Sequence, residues 1–224
     1  MIAPLDFSEH ERFLDYCRLP HDRIDLEEGS WLLARTRHPS IDIEEGRMEI
    51  NLYSVELSRR MKANSGMLVW LNQINDYLFD ELGFKGNTAN YYEPDNSYLN
   101  RVLERRTGIP ITLSTIYLLV ARRLKLPVAG IGMPGHFLCR AETDTGELYI
   151  DPFNGGELLS RRSCEQKIRS TGHAVTDAWL EPRSDVEILA RMCGNLFAIY
   201  KKQEHPTEAR WHEQFLEALN GGGA

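Results

Sequence analysis

An apolar segment at residues 111–125 constrains the fold more than any other part of the chain. The run ITLSTIYLLVARRLK places apolar side chains on nearly every side of a helix. We therefore predict a helix over these residues that is buried almost all round. Pro110 fits its first turn, because a proline there sacrifices an N–H group that has no intrahelical partner. Such a helix must lie at the centre of a domain.

The segment that follows predicts a small antiparallel sheet. After the central helix the pattern changes to three short β-type segments, at residues 128–133, 136–141 and 148–151. A DTG turn separates the last two segments and predicts a hairpin. With its turn centred near residues 143 and 144, the hairpin opposes position 136 with position 151 or 152. We expect His136 and Asp151 to lie on adjacent strands and to form a hydrogen bond.

A bonded His136 and Asp151 have two interpretations. The carboxylate would fix the imidazole tautomer and stabilise the imidazolium, which are the roles of the base and its orienting partner in a catalytic triad. Alternatively, the histidine is structural and the aspartate forms a turn before Pro152. Taken alone, this spacing favours the structural interpretation.

Two segments resemble the transglutaminase-like superfamily: NYYEPDNSYLNRVLERRTGIPITLSTIYLLVARRL, and IGMPGHFLCR with the later YIDP. Within that superfamily they are similar to the bacterial branch named after SirB, which is often extended by tetratricopeptide repeats. The resemblance is close over residues 87–159. It implies a fold similar to that of papain-like cysteine enzymes, with a Cys at the start of the central helix, a His on one strand and an Asp on the next.

The same resemblance assigns the family histidine to His136, the aspartate to Asp151 and the nucleophile to Pro110. A helix N-terminus lowers the pKa of a thiol, but proline has no group to ionise. Cys139 lies an odd number of residues from His136 on one strand, so we expect the two on opposite faces. Ser114 is the best substitute nucleophile, because it lies one helical turn beyond Pro110 on the same face.

A polar loop before the central helix is the candidate binding element. We expect this loop and the helix N-terminus at Pro110 to wall a cleft beside His136, because unpaired N–H groups at a helix start favour an anion. The loop residues that would line the cleft are Tyr91, Tyr92, Glu93 and Asn96. For Asn96, helix capping with ordinary packing is an equal alternative.

The rest of the chain reads as helices, with start signals at Asp25, Ser40 and Ser184. The predicted helices include residues 26–37, 67–82 and 158–169. We expect an α+β fold with a helical N-terminal half, a buried central helix on a small antiparallel sheet, and a C-terminal helical pair. Residues 1–184 would form the transglutaminase-like domain, and residues 185–224 a pair of helices packed on it, equal in size to one tetratricopeptide-like repeat.

Composition narrows the function classes. The chain has 26 basic and 33 acidic residues, a net charge of −7, which gives nucleic-acid binding no electrostatic support.

No apolar run approaches the roughly 20 residues that span a bilayer, and the first residues lack a signal-peptide pattern, so we expect a cytoplasmic protein without membrane insertion. The scattered Cys and His residues predict neither a metal site nor a disulfide framework, and we expect no cofactor. The sequence leaves the oligomeric state open.

Two functions remain after these exclusions. The favoured hypothesis is a transglutaminase-like domain that lacks the cysteine and serves as a non-catalytic, regulatory module binding a peptide or protein. The alternative is a hydrolase or acyl-transfer enzyme that recruits a substitute nucleophile such as Ser114 to His136 and Asp151. A purely structural scaffold ranks last, because it makes the PGHF and IDPF segments incidental.

Overall fold

The computed structural model describes residues 7–62 and 65–221 of the 224-residue chain. Its first part is helical, as the sequence predicts. The helices are α1 (Phe7–Cys17), α2 (Leu26–Arg37), α3 (Ile43–Arg60) and α4 (Met67–Asn75). A π-helical segment, Asp76–Glu81, continues α4.

Capping side chains mark the starts of α2 and α3. Asp25 accepts a hydrogen bond from the backbone N–H of Glu28, so α2 begins where the sequence predicts. The expected start at Ser40 is wrong, because Asp42 is the capping residue of α3. Its carboxylate accepts from the N–H groups of Glu44 and Glu45.

The central helix α6 (Pro110–Arg123) confirms the main expectation. Every residue from Pro110 to Ala121 is buried, and Pro110 is the first helical residue. Before this helix lie β1 (Lys85–Gly86), α5 (Leu99–Arg105) and β2 (Thr107–Gly108). Strands β1 and β2 pair in parallel and form a two-stranded sheet that the sequence did not predict.

A five-stranded antiparallel sheet packs against α6. Its strands are β3 (Val128–Met133), β4 (His136–Thr143), β5 (Gly146–Asp151), β6 (Glu157–Leu159) and β7 (Pro182–Arg183), in the order β6-β5-β4-β3-β7. The predicted helix at 158–169 is wrong at its start. Gly155 and Gly156 take positive φ angles and turn the chain back along β5, so α7 (Arg161–Ser170) begins only after β6.

The C-terminal helices α8 (Asp185–Lys202) and α9 (Pro206–Gly221) pack against each other. Helix α8 also contacts α2 and α6, and α9 contacts α1. One cluster of buried side chains runs through both parts of the fold, from Phe13 to Leu219. The α+β architecture is therefore confirmed, while a division at residue 184 stays a prediction.

None of the described helices combines the length and the apolar composition that a membrane-spanning helix needs.

Candidate functional site

The expected hydrogen bond between His136 and Asp151 is present. His136 Nε2 lies 2.9 Å from both carboxylate oxygens of Asp151. The ionised carboxylate can only accept, so Nε2 is the ring nitrogen that carries the proton in this hydrogen bond. Asp151 is fully buried, and one fifth of the His136 side chain is exposed. The pair thus presents an oriented imidazole where β4 begins and β5 ends, in the middle of the sheet.

The strand register differs from the predicted one. Thr143 pairs with Gly146, so the turn is centred between residues 144 and 145, and Cys139 pairs with Ile150. One step further along both strands, Asp151 stands opposite Leu138. His136 lies two positions before Leu138, on the same face, and reaches Asp151 diagonally across the strands. The predicted contact is right although the predicted opposition of 136 with 151 or 152 is wrong.

The turn after β5 holds the Asp151 carboxylate. Asn154 donates to it from the side-chain amide at 2.8 Å and from the backbone N–H at 3.3 Å. The ammonium of Lys167 on α7 lies 3.7 Å away. Burial alone would raise the pKa of Asp151, but the bonds from His136 and Asn154 and the charge of Lys167 lower it below its usual value. The carboxylate is therefore ionised and fixed.

A chain of aromatic contacts joins His136 to the loop before α5. The ring of Phe153 lies edge-on to His136 with centroids 6.0 Å apart, and Tyr91 lies edge-on to Phe153, also at 6.0 Å. Gly86 of β1 packs directly against Phe153. The space between them is so small that a Cβ on Gly86 would lie 2.6 Å from the Phe153 ring. The loop and the histidine thus form two sides of one surface.

Asn96 supports the loop from inside. Its side chain is fully buried, donates to the carbonyls of Asn90 (2.8 Å) and Tyr91 (3.2 Å), and accepts from Asn87 (2.9 Å). Its own carbonyl accepts from the N–H of Ile109, the residue that caps α6. The capping part of the alternative is wrong, because α5 has no side-chain cap and the amide of Asn96 faces the loop backbone. The packing part is right, because the side chain is fully buried inside the loop. Asn96 therefore shapes the loop and fastens it to the start of the central helix.

Three predicted binding residues remain, and one of them, Glu93, forms an ion pair with Arg105. Tyr92 is 55% exposed, its ring lies 5.3 Å from that of Tyr91, and the ammonium of Lys202 sits 4.2 Å above it. Pro110 is buried at the start of α6. A direct role for any of the three in binding stays a prediction.

Arg191 of α8 is a site residue that the sequence analysis missed. Its Nη2 donates to the carbonyls of Met133 (2.7 Å) and His136 (2.8 Å), which flank the tight turn that leads into β4. The guanidinium also lies 5.5 Å from the ring centroid of Phe137. Arg191 therefore fixes the backbone from which the His136 imidazole projects. Its separation of 55 residues from His136 leaves no local signal.

The charge of Arg191 is unusual because it has no acidic partner. Within residues 7–62 and 65–221, no carboxylate lies within 4.0 Å of its guanidinium, and no hydrogen bond uses Nε or Nη1. Burial lowers its pKa, with Tyr91 and Arg183 as the nearby groups that act on it electrostatically. A partly buried cation without a counter-ion is costly, so this position suits an incoming anion.

No thiol or hydroxyl is bonded to His136 in the described part of the chain. Ser114 Oγ is buried and points to the carbonyl of Phe137 at 3.4 Å. Cys139 packs on the α6 side of the sheet, whereas Leu138 faces the other side, as the odd offset predicts. Burial raises the pKa of the Cys139 thiol well above its ordinary value. These positions supply no activated nucleophile.

Comparison with known proteins identifies relatives over most of the chain. Residues 44–194 match a family model described as the transglutaminase-like superfamily. A UPF0162 protein of Xylella fastidiosa strain 9a5c is 37% identical over 185 residues, which cover 80% of this chain and 66% of that protein. No solved structure matches.

A eukaryotic protein is similarly related. Mouse F-box only protein 21 is 38% identical over 176 residues, covering 75% of this chain and 26% of that protein. A UPF0162 protein of Vibrio cholerae is 27% identical over 172 residues and is covered over 62% of its length. The chain thus spans about two thirds of the bacterial relatives and a quarter of the eukaryotic one.

Proposed function

Because the chain belongs to the transglutaminase-like superfamily, we propose that it is a cytoplasmic regulatory module that binds an extended protein or peptide segment without cysteine-dependent catalysis. The PGHF and GIPITL motifs support the further proposal that it belongs to the SirB-type branch. The segment would lie on the surface formed by His136, Phe153 and Tyr91. In this proposal the His136–Asp151 pair is a rigid recognition element.

One observation carries the proposal: no thiol is available to the oriented imidazole. The family resemblance assigns the nucleophile position to Pro110, which has no group to ionise, and all four cysteines are buried. Burial raises the pKa of Cys17 and of Cys164 to about 12, so neither forms a thiolate near neutral pH. A site that keeps the base and its orienting partner without a nucleophile is suited to binding.

Arg191 indicates the chemistry of the ligand. Its guanidinium has no acidic partner among the described residues, and Tyr91 lies beside it. A ligand carboxylate would supply the missing counter-charge and accept charge-assisted hydrogen bonds from the unused nitrogens. We therefore expect acidic segments, or a free C-terminal carboxylate, to be preferred. The relationship to a quarter of F-box only protein 21 supports a protein partner.

A peptide array tests this proposal. Extended peptides of about ten residues, a length set by the span of an extended chain across a small domain, would be synthesised in pairs that differ only by Glu or Gln. The parent protein should retain the Glu member of a pair selectively, and Arg191→Gln should remove that selectivity. Arg183→Gln is the matched control, because Arg183 already pairs with Glu187 at 3.1 Å. Equal retention of both members by the parent protein would refute the acidic preference.

The alternative function, hydrolysis or acyl transfer, rests on the orientation of the imidazole by Asp151. It requires Ser114 to leave the Phe137 carbonyl and approach Nδ1 to roughly 3 Å. Ester, amide and Gln-acceptor substrates should show no turnover with the parent protein above that of His136→Ala. Turnover that is lost in both His136→Ala and Ser114→Ala would establish a serine enzyme. Turnover lost in His136→Ala and Cys139→Ala would establish a thiol enzyme.

A further inference from the structure

Helix α3 carries an apolar stripe on its outer face. Met48 is 63% exposed, Leu52 61% and Val55 46%, although the opposite face of the helix, with Ile50 and Leu57, is fully buried. The three exposed residues follow one another at intervals of four and three, which places them in a single row. A row at this spacing is the pattern by which one helix packs against another.

Opposite charges mark the two ends of this row. Glu45 lies one helical turn before Met48, and Arg59 lies one turn after Val55. Glu45 forms no ion pair among the described residues, and the side chain of Arg59 is 75% exposed with only Glu56 at 4.0 Å. From the start of α3 to its end, the outer face therefore carries a negative charge, then the three apolar side chains, then a positive charge.

A shallow, open groove runs beside the same row. It has a volume of about 630 Å³, and its lining includes Val55 and Arg59 of α3 and Arg123 of α6. The remaining lining residues are small or uncharged: Asn51, Ser54 and Ser58. A groove next to a ridge on one helix is complementary to the same pair of features on a second copy.

We propose that two copies of this chain associate through α3, with the two α3 helices antiparallel about a two-fold axis. This arrangement places Glu45 of each copy against the Arg59 end of the other. Leu52 and Val55 lie near the axis, and the ridge of each helix fills the groove of its partner. A parallel arrangement would oppose Glu45 with Glu45 and Arg59 with Arg59, which is unfavourable. Antiparallel helices also align their dipoles favourably.

The size of the stripe sets the strength of the dimer. Stable complexes bury roughly 800 Å² on each partner, and three side chains on one helix contribute less than that. We therefore expect a weak, reversible dimer with a dissociation constant between about 1 μM and 1 mM, which corresponds to about 8 to 4 kcal/mol. This association is independent of the proposed ligand site at His136.

Sedimentation velocity over a range of protein concentrations tests the dimer. The parent protein should shift from monomer to dimer between about 1 μM and 1 mM, and Leu52→Glu should remain monomeric. Glu45→Arg and Arg59→Glu should each weaken association, because each opposes like charges. The double variant Glu45→Arg/Arg59→Glu should restore it, since the exchanged charges again face their opposites. Glu11→Arg, the same charge change on α1, should associate as the parent does.

Three results would overturn the proposal. The first is a parent protein that stays monomeric up to about 1 mM. At that concentration even an association free energy of about 4 kcal/mol would produce a detectable dimer. The second is a dimer that Leu52→Glu leaves intact. The third is a double variant as weak as the single ones, since rescue by charge exchange requires that the partner of α3 be a second α3.

Discussion

Asp151 is the residue on which the geometry of the candidate site depends. It is fully buried and accepts hydrogen bonds from His136 and Asn154, with Lys167 at 3.7 Å. A buried carboxylate is tolerated only while such donors surround it. Removing it would leave the imidazole and the amide without their acceptor.

We expect Asp151→Ala to lower the free energy of unfolding by about 3 kcal/mol, because it removes the fully buried carboxylate that accepts charge-assisted hydrogen bonds from His136 and Asn154. Urea unfolding at pH 7 measures the change. Lys167→Met is the control and should cost less than about 1 kcal/mol, since the Lys167 side chain is 39% exposed. Equal costs for the two variants would contradict the central place given to Asp151.

The four cysteines give a second prediction at this scale. All are buried, and burial raises the pKa of each thiol. Ellman's reagent should therefore label none of them rapidly in the native protein and all of them after unfolding in urea. The rate of labelling in the native state should follow the rate of opening of the fold. Fast labelling of one thiol would reveal an accessible nucleophile.

Contacts between single residues were predictable from the sequence where the two residues lie close together along the chain. The turn between β4 and β5 lies within a few residues of both strands, so the contact between His136 and Asp151 was predictable even with a shifted register. Arg191 was not predictable, because it approaches His136 only after α8 has packed onto the sheet. The amide of Asn96 serves the loop backbone, and the sequence could not distinguish this from capping or binding.

Among the elements, the short strand β1 has the closest steric connection to the site. A Cβ on Gly86 would lie 2.6 Å from the Phe153 ring and 2.7 Å from its carbonyl oxygen. The turn that carries Phe153 would have to move away from β1. Because Phe153 contacts both His136 and Tyr91, that movement would reshape the surface.

We expect Gly86→Ala to cost about 2 kcal/mol of unfolding free energy through overpacking, and to weaken peptide binding. Gly66→Ala is the matched control. Gly66 has no atom within 4 Å of its Cβ position, so the change creates no clash and should cost less than about 1 kcal/mol, the cost of Ala at the N-cap of α4. Thermal unfolding of both variants compares them. The steric account fails if Gly86→Ala is as stable as Gly66→Ala.

The elements themselves were predictable where capping and periodicity coincide. Ser184 and Glu187 form a complete capping box at the start of α8, as expected. The wrong predictions fall on segments whose local sequence suits more than one type of secondary structure. Leu158 and Leu159 suit a helix or a strand, and pairing with β5 decides for a strand. Strands of two residues such as β1 and β2 are too short to leave a periodic signal.

At the scale of the whole molecule, a buried histidine joins the two ends of the described chain. His212 of α9 packs against Tyr200 and Phe215, with His10 of α1 nearby. Burial lowers its pKa to about 4, although a bond from Nδ1 to the Glu208 carbonyl partly opposes the shift. The folded state therefore holds His212 neutral at a pH where the unfolded chain binds a proton.

The resulting loss of stability occurs on acidification. Above the unfolded pKa of 6.5 the histidine is neutral in both states and has no effect. Between pH 6.5 and about pH 4 only the unfolded state binds the proton, so unfolding becomes easier by up to about 1.4 kcal/mol per pH unit. The loss from pH 7 to pH 5 should be about 2 kcal/mol smaller in His212→Gln than in the parent. An equal loss in both proteins would show that His212 does not titrate as described.

We propose that this fold recognises a carboxylate-bearing segment through Arg191 and an oriented His136, without covalent chemistry. The most direct test of this claim is fluorescence anisotropy with a labelled acidic peptide selected on the array and its Gln-for-Glu counterpart. The parent protein should bind the acidic form at least about tenfold more tightly, a difference of about 1.4 kcal/mol. Arg191→Gln should abolish that difference while Arg183→Gln preserves it. Equal affinities for the two peptides, or a difference that survives in Arg191→Gln, would contradict the claim.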